Sequence, residues 1–143
     1  ILVLRSFGKF YGLAGLRLGF ALGAAPLISR IEEMAGPWAV SGPAIAAGRV
    51  ALRDAPWRAR SIARLADDCT RLDALAEARG WGLVGGTALF RTYAIPGGAA
   101  SAQDALARRR IWSRVFPYST DWLRLGLPGD EAEWRRLGEV LQI

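Results

Sequence analysis

The sequence predicts an α/β fold, and three observations carry that reading. Short runs such as the apolar Ile1–Leu4, and Ala88–Ile95 and Asp121–Leu127, which each end against a proline, have the length and composition of strands. Between them lie longer segments whose apolar residues recur at three-and-four spacing, as a helix packed on one face requires. At 52% hydrophobic and 22% charged over 143 residues, the composition is globular and the chain is long enough to bury a core.

Taken in order, Ile1–Leu4 reads as a buried strand and Leu16–Leu22 as a second. The loop joining them holds Gly8, Gly12 and Gly15, which permit tight turns and close approach to a ligand. Ala25–Met34 reads as a short helix: Pro26 suits its first turn, Leu27, Ile28, Ile31 and Met34 form its apolar stripe, and Gly36-Pro37 stops it. Ser41 is placed to cap a second helix that opens at Gly42-Pro43 and reaches Leu52. Asp54-Ala55-Pro56 starts a long helix to Arg79, with Ile62, Leu65, Cys69, Leu72 and Ala76 on one stripe and Gly80 as its stop. Cys69 is therefore a core residue in this reading, not a nucleophile.

The remainder reads as a small α/β unit. Trp81–Val84 and Ala88–Ile95 are strands separated by a Gly85-Gly86 turn. Ser101 can cap a helix over Ala102–Arg109, followed by a strand at Ile111–Phe116, a turn at Pro117–Thr120 and a last strand at Asp121–Leu127. Asp130-Glu131-Ala132-Glu133 is an acidic capping box opening a helix whose Trp134, Leu137 and Leu141 face inward.

The chemistry concentrates between Ser6 and Gly19. Of the 19 basic residues 18 are arginine, and the one lysine, Lys9, stands in this loop. Arginine matches lysine for charge, hydrogen bonding and phosphate clamping, but it stays protonated. Only the lysine amine can lose its proton, attack a carbonyl and form a Schiff base. Ser6 precedes Lys9 by three residues and Arg17 follows it by eight, supplying a hydroxyl and a guanidinium fork suited to a phosphate. A carbonyl-reactive amine beside a phosphate grip outlines a pyridoxal phosphate site.

The pattern Ser-x-x-Lys-x-x-Gly-Leu-x-Gly-x-Arg-x-Gly, from Ser6 to Gly19, resembles the cofactor-lysine signature of fold-type I pyridoxal-phosphate enzymes of the class I/II aminotransferase group. That resemblance implies the C-terminal part of the aspartate-aminotransferase-like fold, with residues 1–53 the end of the large cofactor domain and residues 54–143 a linking helix and small α/β domain. It implies that Lys9 forms the Schiff base with pyridoxal 5'-phosphate and moves protons at the substrate α-carbon, while Ser6 and Arg17 bind the cofactor phosphate. Gly36–Pro43, Val84–Phe90 and Trp122–Gly129 further resemble the members of this group that decarboxylate an amino-acid phosphate. The implied reaction takes L-threonine O-3-phosphate to (R)-1-amino-2-propanol O-2-phosphate for cobalamin biosynthesis, with an aminotransferase acting on histidinol phosphate as the alternative. Arg124 then matches the group's substrate-carboxylate arginine and Arg114 an arginine near the substrate phosphate. The resemblance also implies a homodimer at full length, and a longer protein of which these residues alone are inactive.

Composition narrows the remaining classes. One cysteine and no histidine remove an internal disulfide, a multi-cysteine metal site and the usual general base, so no metal is expected. The net charge of +6 would permit nucleic-acid binding, but the arginines alternate with acids and only Arg108–Arg110 form a cluster, so none is expected. No apolar run reaches the roughly 18 residues that a bilayer span needs, and no signal peptide pattern opens the chain. The expectation is a cytoplasmic protein with a small phosphorylated amino acid as its partner and no membrane contact.

Overall fold

Two strands, β1 (Val3–Ser6) and β2 (Gly19–Leu22), pair antiparallel with Ser6 opposite Gly19 and Val3 opposite Leu22, in a computed structural model that describes residues 1–141. The first strand starts two residues later than its apolar run and is exposed along its whole length, not buried as expected. Among the described residues β2 is the one strand paired with it, so its other edge has no strand partner there. The second strand is also shorter than expected. Ala14–Leu16 forms a 3-10 turn and Arg17 takes a left-handed conformation (φ 52°), so pairing begins only at Gly19. There the strands come so close that a Cβ on Gly19 would stand 3.0 Å from the Arg5 carbonyl oxygen.

Helices α1 (Ala25–Ala35) and α2 (Gly42–Arg53) follow. Pro26 sits in the first turn of α1, and Gly36 ends it at φ 68°, a left-handed value that glycine takes without strain. The expected stripe of α1 does not form a buried face, and Met34 is exposed. Ser41 Oγ accepts the Ala44 amide at 3.3 Å, capping α2 as its sequence signals. Phe7, Leu18 and Ala44 form a small buried cluster, and a Cβ on Gly48 would fall 2.5 Å from Leu18 Cδ2, so α2 lies directly on the hairpin loop.

The long helix α3 (Ala55–Ala78) is opened by Asp54, whose Oδ1 accepts the Trp57 amide at 2.9 Å. The chain divides within its first turn into two compact units, Ile1–Arg58 and the residues from Ala59 onward. Leu65, Leu72 and Ala76 of α3 are buried, Cys69 is half-buried, and Ile62 is exposed.

In the second unit four antiparallel strands are ordered β3-β4-β6-β5: β3 (Gly82–Thr87), β4 (Phe90–Ala94), β5 (Arg114–Phe116) and β6 (Ser119–Gly126). The expected Gly85-Gly86 turn is not a turn. Both glycines lie inside β3, where the register shifts at a bulge, and the reversal occurs at Ala88-Leu89. A Cβ on Gly86 would lie 2.3 Å from the Phe90 carbonyl oxygen, so glycine is demanded by strand approach instead of reversal. Helix α4 (Ala99–Arg108) begins at Gly98, with Ser101 inside its first turn donating to the Gly98 carbonyl at 3.1 Å. Ser101 is thus not the cap expected of it. Ile111–Ser113 are irregular, leaving β5 shorter than the apolar run. In α5 (Glu131–Leu141), Asp130 Oδ1 accepts the Glu133 amide at 2.8 Å and Glu133 Oε2 accepts the Gly129 amide at 2.7 Å, a reciprocal cap.

One face of this sheet is the core. Tyr93, Leu123 and Leu125 point into it and meet Leu72 and Ala76 of α3, Leu106 of α4, and Trp134, Leu137 and Leu141 of α5. Asp73 of α3 is clamped to β4: Arg91 binds both its carboxylate oxygens, and Tyr93 donates its hydroxyl to Oδ1 at 2.7 Å. Burial alone would raise the Asp73 pKa, but the hydrogen bonds from Arg91 and Tyr93 and the Arg91 charge outweigh it, leaving the carboxyl below its usual 3.8. Burial, and then the bond to Asp73, push the Tyr93 phenol upward, so it remains a neutral donor.

Two outcomes follow for unfolding experiments. Leu123→Ala should lower stability by about 2–5 kcal/mol in urea titrations followed by circular dichroism, because a fully buried leucine leaves a cavity. Because the folded Asp73 pKa is depressed, its contribution is complete above the unfolded value near 3.8 and is lost as pH falls through the lower folded value. Asp73→Asn should therefore destabilise the protein at neutral pH and flatten the loss of stability below that value; an unchanged acid limb would refute this role.

Candidate functional site

The β1–β2 connection is built by backbone closure at several points. The Phe7 amide donates to the Leu18 carbonyl at 3.1 Å, the Leu13 amide to the Phe7 carbonyl at 2.9 Å, and the Gly12 amide to the Lys9 carbonyl at 2.9 Å. Gly8 and Gly12 flank Lys9, and Gly12 takes φ 67°, where a side chain would be strained. Ser6 thus ends β1 just outside the Phe7–Leu18 closure, while Lys9 stands at the bend of the loop it closes and Arg17 at the loop's far end, next to Leu18.

Each of the three is open to a ligand. Lys9 is exposed and belongs to none of the ion pairs among the described residues. Ser6 Oγ accepts the Gly8 amide at 3.1 Å, which leaves its own O–H to donate. Arg17 is exposed, and among the described residues its Nη1 reaches the Ala14 carbonyl at 3.3 Å and no carboxylate pairs with it. The expected strand position for Arg17 is corrected by its left-handed backbone, which takes it out of the sheet and into the loop. One primary amine, one free hydroxyl and one unpaired guanidinium fit a ligand that carries an aldehyde and a phosphate.

The second unit supplies a separate set. On β6 the buried Leu123 and Leu125 alternate with Arg124, which therefore emerges on the face of the sheet away from the helices. Arg114 of β5 is its direct cross-strand partner, with Thr92 of β4 on the other side. The Arg124 guanidinium lies 4.6 Å from the Phe90 ring centre and 6.0 Å from Phe116; the Arg114 guanidinium lies 5.9 Å from Phe116. Both cations therefore rest near aromatic faces, worth about 0.5–1 kcal/mol each where exposed. Neither arginine enters an ion pair among the described residues, although like charges opposite one another in a sheet repel. They line an open concavity of ≈ 600 Å³ together with Phe90, Gln103, Trp112 and Ser113. An arrangement of two uncompensated guanidiniums is suited to a ligand with two anionic groups.

Several residues here were not singled out from the sequence. Phe90 and Phe116 support the guanidiniums, and Gln103 Nε2 donates to the Ser113 carbonyl at 3.0 Å, fixing the segment that leads into Arg114. The Ser113 hydroxyl is buried without a partner among the described residues. Only Phe90 carried a signal, as the last residue of a recognised stretch. The others depend on strand register, which a sequence does not print.

Comparison with known proteins gives the frame for these residues. The sequence model of the family described as aminotransferase class I and II matches residues 1–141. The chain is 48% identical over 141 residues to a threonine-phosphate decarboxylase of Pseudomonas aeruginosa, covering 99% of this chain and 42% of that protein. It is 42% identical over 141 residues to a threonine-phosphate decarboxylase of a Sinorhizobium species, covering 99% of this chain and 41% of that one. The chain thus spans about two fifths of the length of these relatives. A crystal structure of histidinol-phosphate aminotransferase from Sinorhizobium meliloti in complex with pyridoxal-5'-phosphate superposes with a TM-score of 0.81 at 22% identity, over 99% of this chain and 40% of that one. At that identity the likeness is one of fold.

Proposed function

This chain belongs to the class I and II aminotransferase family and has an α/β fold of that kind, and from that premise we propose that the protein carrying it is a pyridoxal-phosphate-dependent decarboxylase of L-threonine O-3-phosphate. The product would be (R)-1-amino-2-propanol O-2-phosphate, a building block for cobalamin. The observation that carries the substrate assignment is the direct cross-strand pairing of Arg114 with Arg124. Side chains in such a pair start about 4.5–5.5 Å apart at Cβ. Threonine phosphate presents a carboxylate on Cα and a phosphate on the oxygen of the adjacent Cβ, so two neighbouring guanidiniums match its two charges.

When bound, pyridoxal 5'-phosphate supplies an aldehyde that condenses with amines and a ring that accepts the electron pair released as a bond to the α-carbon breaks. Lys9 would hold that aldehyde through its amine and would supply the proton to the α-carbon in place of the carbon dioxide lost. Arg17 and the Ser6 hydroxyl hold the cofactor phosphate, one as a permanent charge and the other as a neutral donor. Arg124 grips the substrate carboxylate with its planar fork, which fixes the orientation of the bond to be broken, and Arg114 takes the substrate phosphate. In domain terms, residues 1–53 would end the large cofactor domain, and residues 54–143 would form the linking helix and small domain. The full-length protein would work as a cytoplasmic homodimer.

Identities of 48% and 42% to two decarboxylases favour this reaction over transamination of histidinol phosphate. Product analysis on the full-length protein separates the two: carbon dioxide released without a keto acid supports the decarboxylase, and dependence on 2-oxoglutarate refutes it. Lys9→Ala should abolish the borohydride-reducible lysine adduct and lower kcat by about 10²–10⁴-fold or more. Arg124→Ala should remove about 1.5–3 kcal/mol of substrate binding, roughly 10–150-fold in KM. An adduct that survives Lys9→Ala would overturn the assignment.

A further inference from the structure

Lys9 has a long flexible side chain on an exposed bend with a glycine one residue before and another three residues after it. Nothing in that description holds an amine still. What restrains the bend is a set of aromatic rings drawn from the residues next to Lys9. Tyr11 lies between two rings: it stacks on Phe7 at 4.5 Å with an interplanar angle of 13°, and on Trp57 at 5.5 Å with an angle of 15°. Phe10 meets both neighbours edge-on, Tyr11 at 5.2 Å and Trp57 at 5.4 Å. All four residues lie within the first compact unit.

The two ends of this stack are themselves fixed. Phe7 is buried with Leu18 and Ala44, and both its amide and its carbonyl are bonded across the loop. Trp57 stands in the first turn of α3, where Asp54 Oδ1 holds its amide at 2.9 Å. The residue two before Lys9 and the two residues after it are thereby clamped in a single aromatic assembly running from the hairpin to α3. The Tyr11 hydroxyl makes no hydrogen bond among the described residues, so the ring alone does the holding.

We propose that Tyr11 and Trp57 are positioning residues for the Lys9 amine, restraining by aromatic stacking a bend whose glycines would otherwise leave it loose. The inference rests on the reading of Lys9 as the amine that attaches the cofactor. A reactive group held in register gains from orientation, and a displacement of about 1 Å can cost roughly 10²-fold in rate. Recognition of the substrate's charges by Arg114 and Arg124 does not depend on the stack.

The test uses the full-length protein loaded with pyridoxal phosphate. Tyr11→Leu and, as a second variant, Trp57→Leu should each slow the attachment of added cofactor and shift the pH midpoint of its absorbance band. Each should lower kcat by about 10- to 100-fold while KM for threonine phosphate stays within about twofold. Tyr11→Phe, which keeps the ring, should restore both the midpoint and the rate. Circular dichroism melting identifies which variants are folded, and the midpoint is read on those. A folded Tyr11→Leu or Trp57→Leu protein with unshifted midpoint and wild-type attachment rate overturns the inference, as does a Tyr11→Phe protein that behaves like Tyr11→Leu. A borohydride-reducible adduct persisting in Lys9→Ala would instead sink the reading of Lys9, so the two failures are told apart.

Discussion

Phe7 is the residue on which the first unit turns. Its amide and carbonyl both close the loop, onto Leu18 and from Leu13, and its ring is shared among three contacts: the Leu18 and Ala44 core, Tyr11 and Phe20. Stacked aromatic pairs are worth about 0.5–1.5 kcal/mol beyond the area they bury. In a unit whose strands are otherwise largely exposed, that is a large share of what defines the loop. The consequence is that Ser6, Lys9 and Arg17 inherit their placement from one buried side chain two residues from the amine. The close approach of α2 at Gly48 completes this arrangement, because a side chain there would have to push the Leu18 methyl aside.

The second unit obeys a different constraint, the period of two along β6. Leu123 and Leu125 are drawn into the core by burial worth about 1.5–3 kcal/mol per side chain, so Arg124 between them has no choice of face. The hydrophobic effect thus aims the charge. Register then decides what it meets: β5 and β6 pair so that Arg114 stands opposite it, and β4 brings Phe90 within cation–π distance. The Asp73 clamp acts on the same strand from the other side, since Arg91 and Tyr93 alternate with Phe90 and Thr92 along β4. A change in that clamp would be felt as a change in the frame behind the arginines.

Much of this was legible in the sequence, for reasons that are local. The caps at Ser41, Asp54 and Asp130, the glycine stops at Gly36 and Gly80, and the inward residues of α5 are all written within a turn of the place where they act. The strands were less legible. Gly85-Gly86 reads as a reversal because glycine pairs favour turns, yet here tertiary approach of β3 to Phe90 demands them inside a strand. Ile1–Leu4 reads as buried because it is apolar, but apolarity says only that cover is favourable, not that it is supplied. The same limit applies to the sites. Ser6, Lys9 and Arg17 could be picked out together because one short loop holds them, whereas the Arg114–Arg124 pairing joins strands on either side of a turn and appears only with register.

The backbone at Arg17 adds an argument independent of any likeness. A non-glycine residue in the left-handed region costs about 1–2 kcal/mol, and glycine or asparagine would fill φ 52° more cheaply. The Nη1 contact to Ala14 at 3.3 Å is a weak, exposed bond that does not offset that cost. An arginine at this position is therefore not explained by folding. The same holds for Arg114 and Arg124, whose mutual repulsion would vanish if either were a neutral β-former. Departures from local preference that bring no stability of their own tend to gather where a ligand is bound. In this chain Trp38 and Arg110 share the left-handed backbone of Arg17, but Arg17, Arg114 and Arg124 are guanidiniums with no carboxylate partner among the described residues, and the loop that holds Arg17 also holds the only lysine.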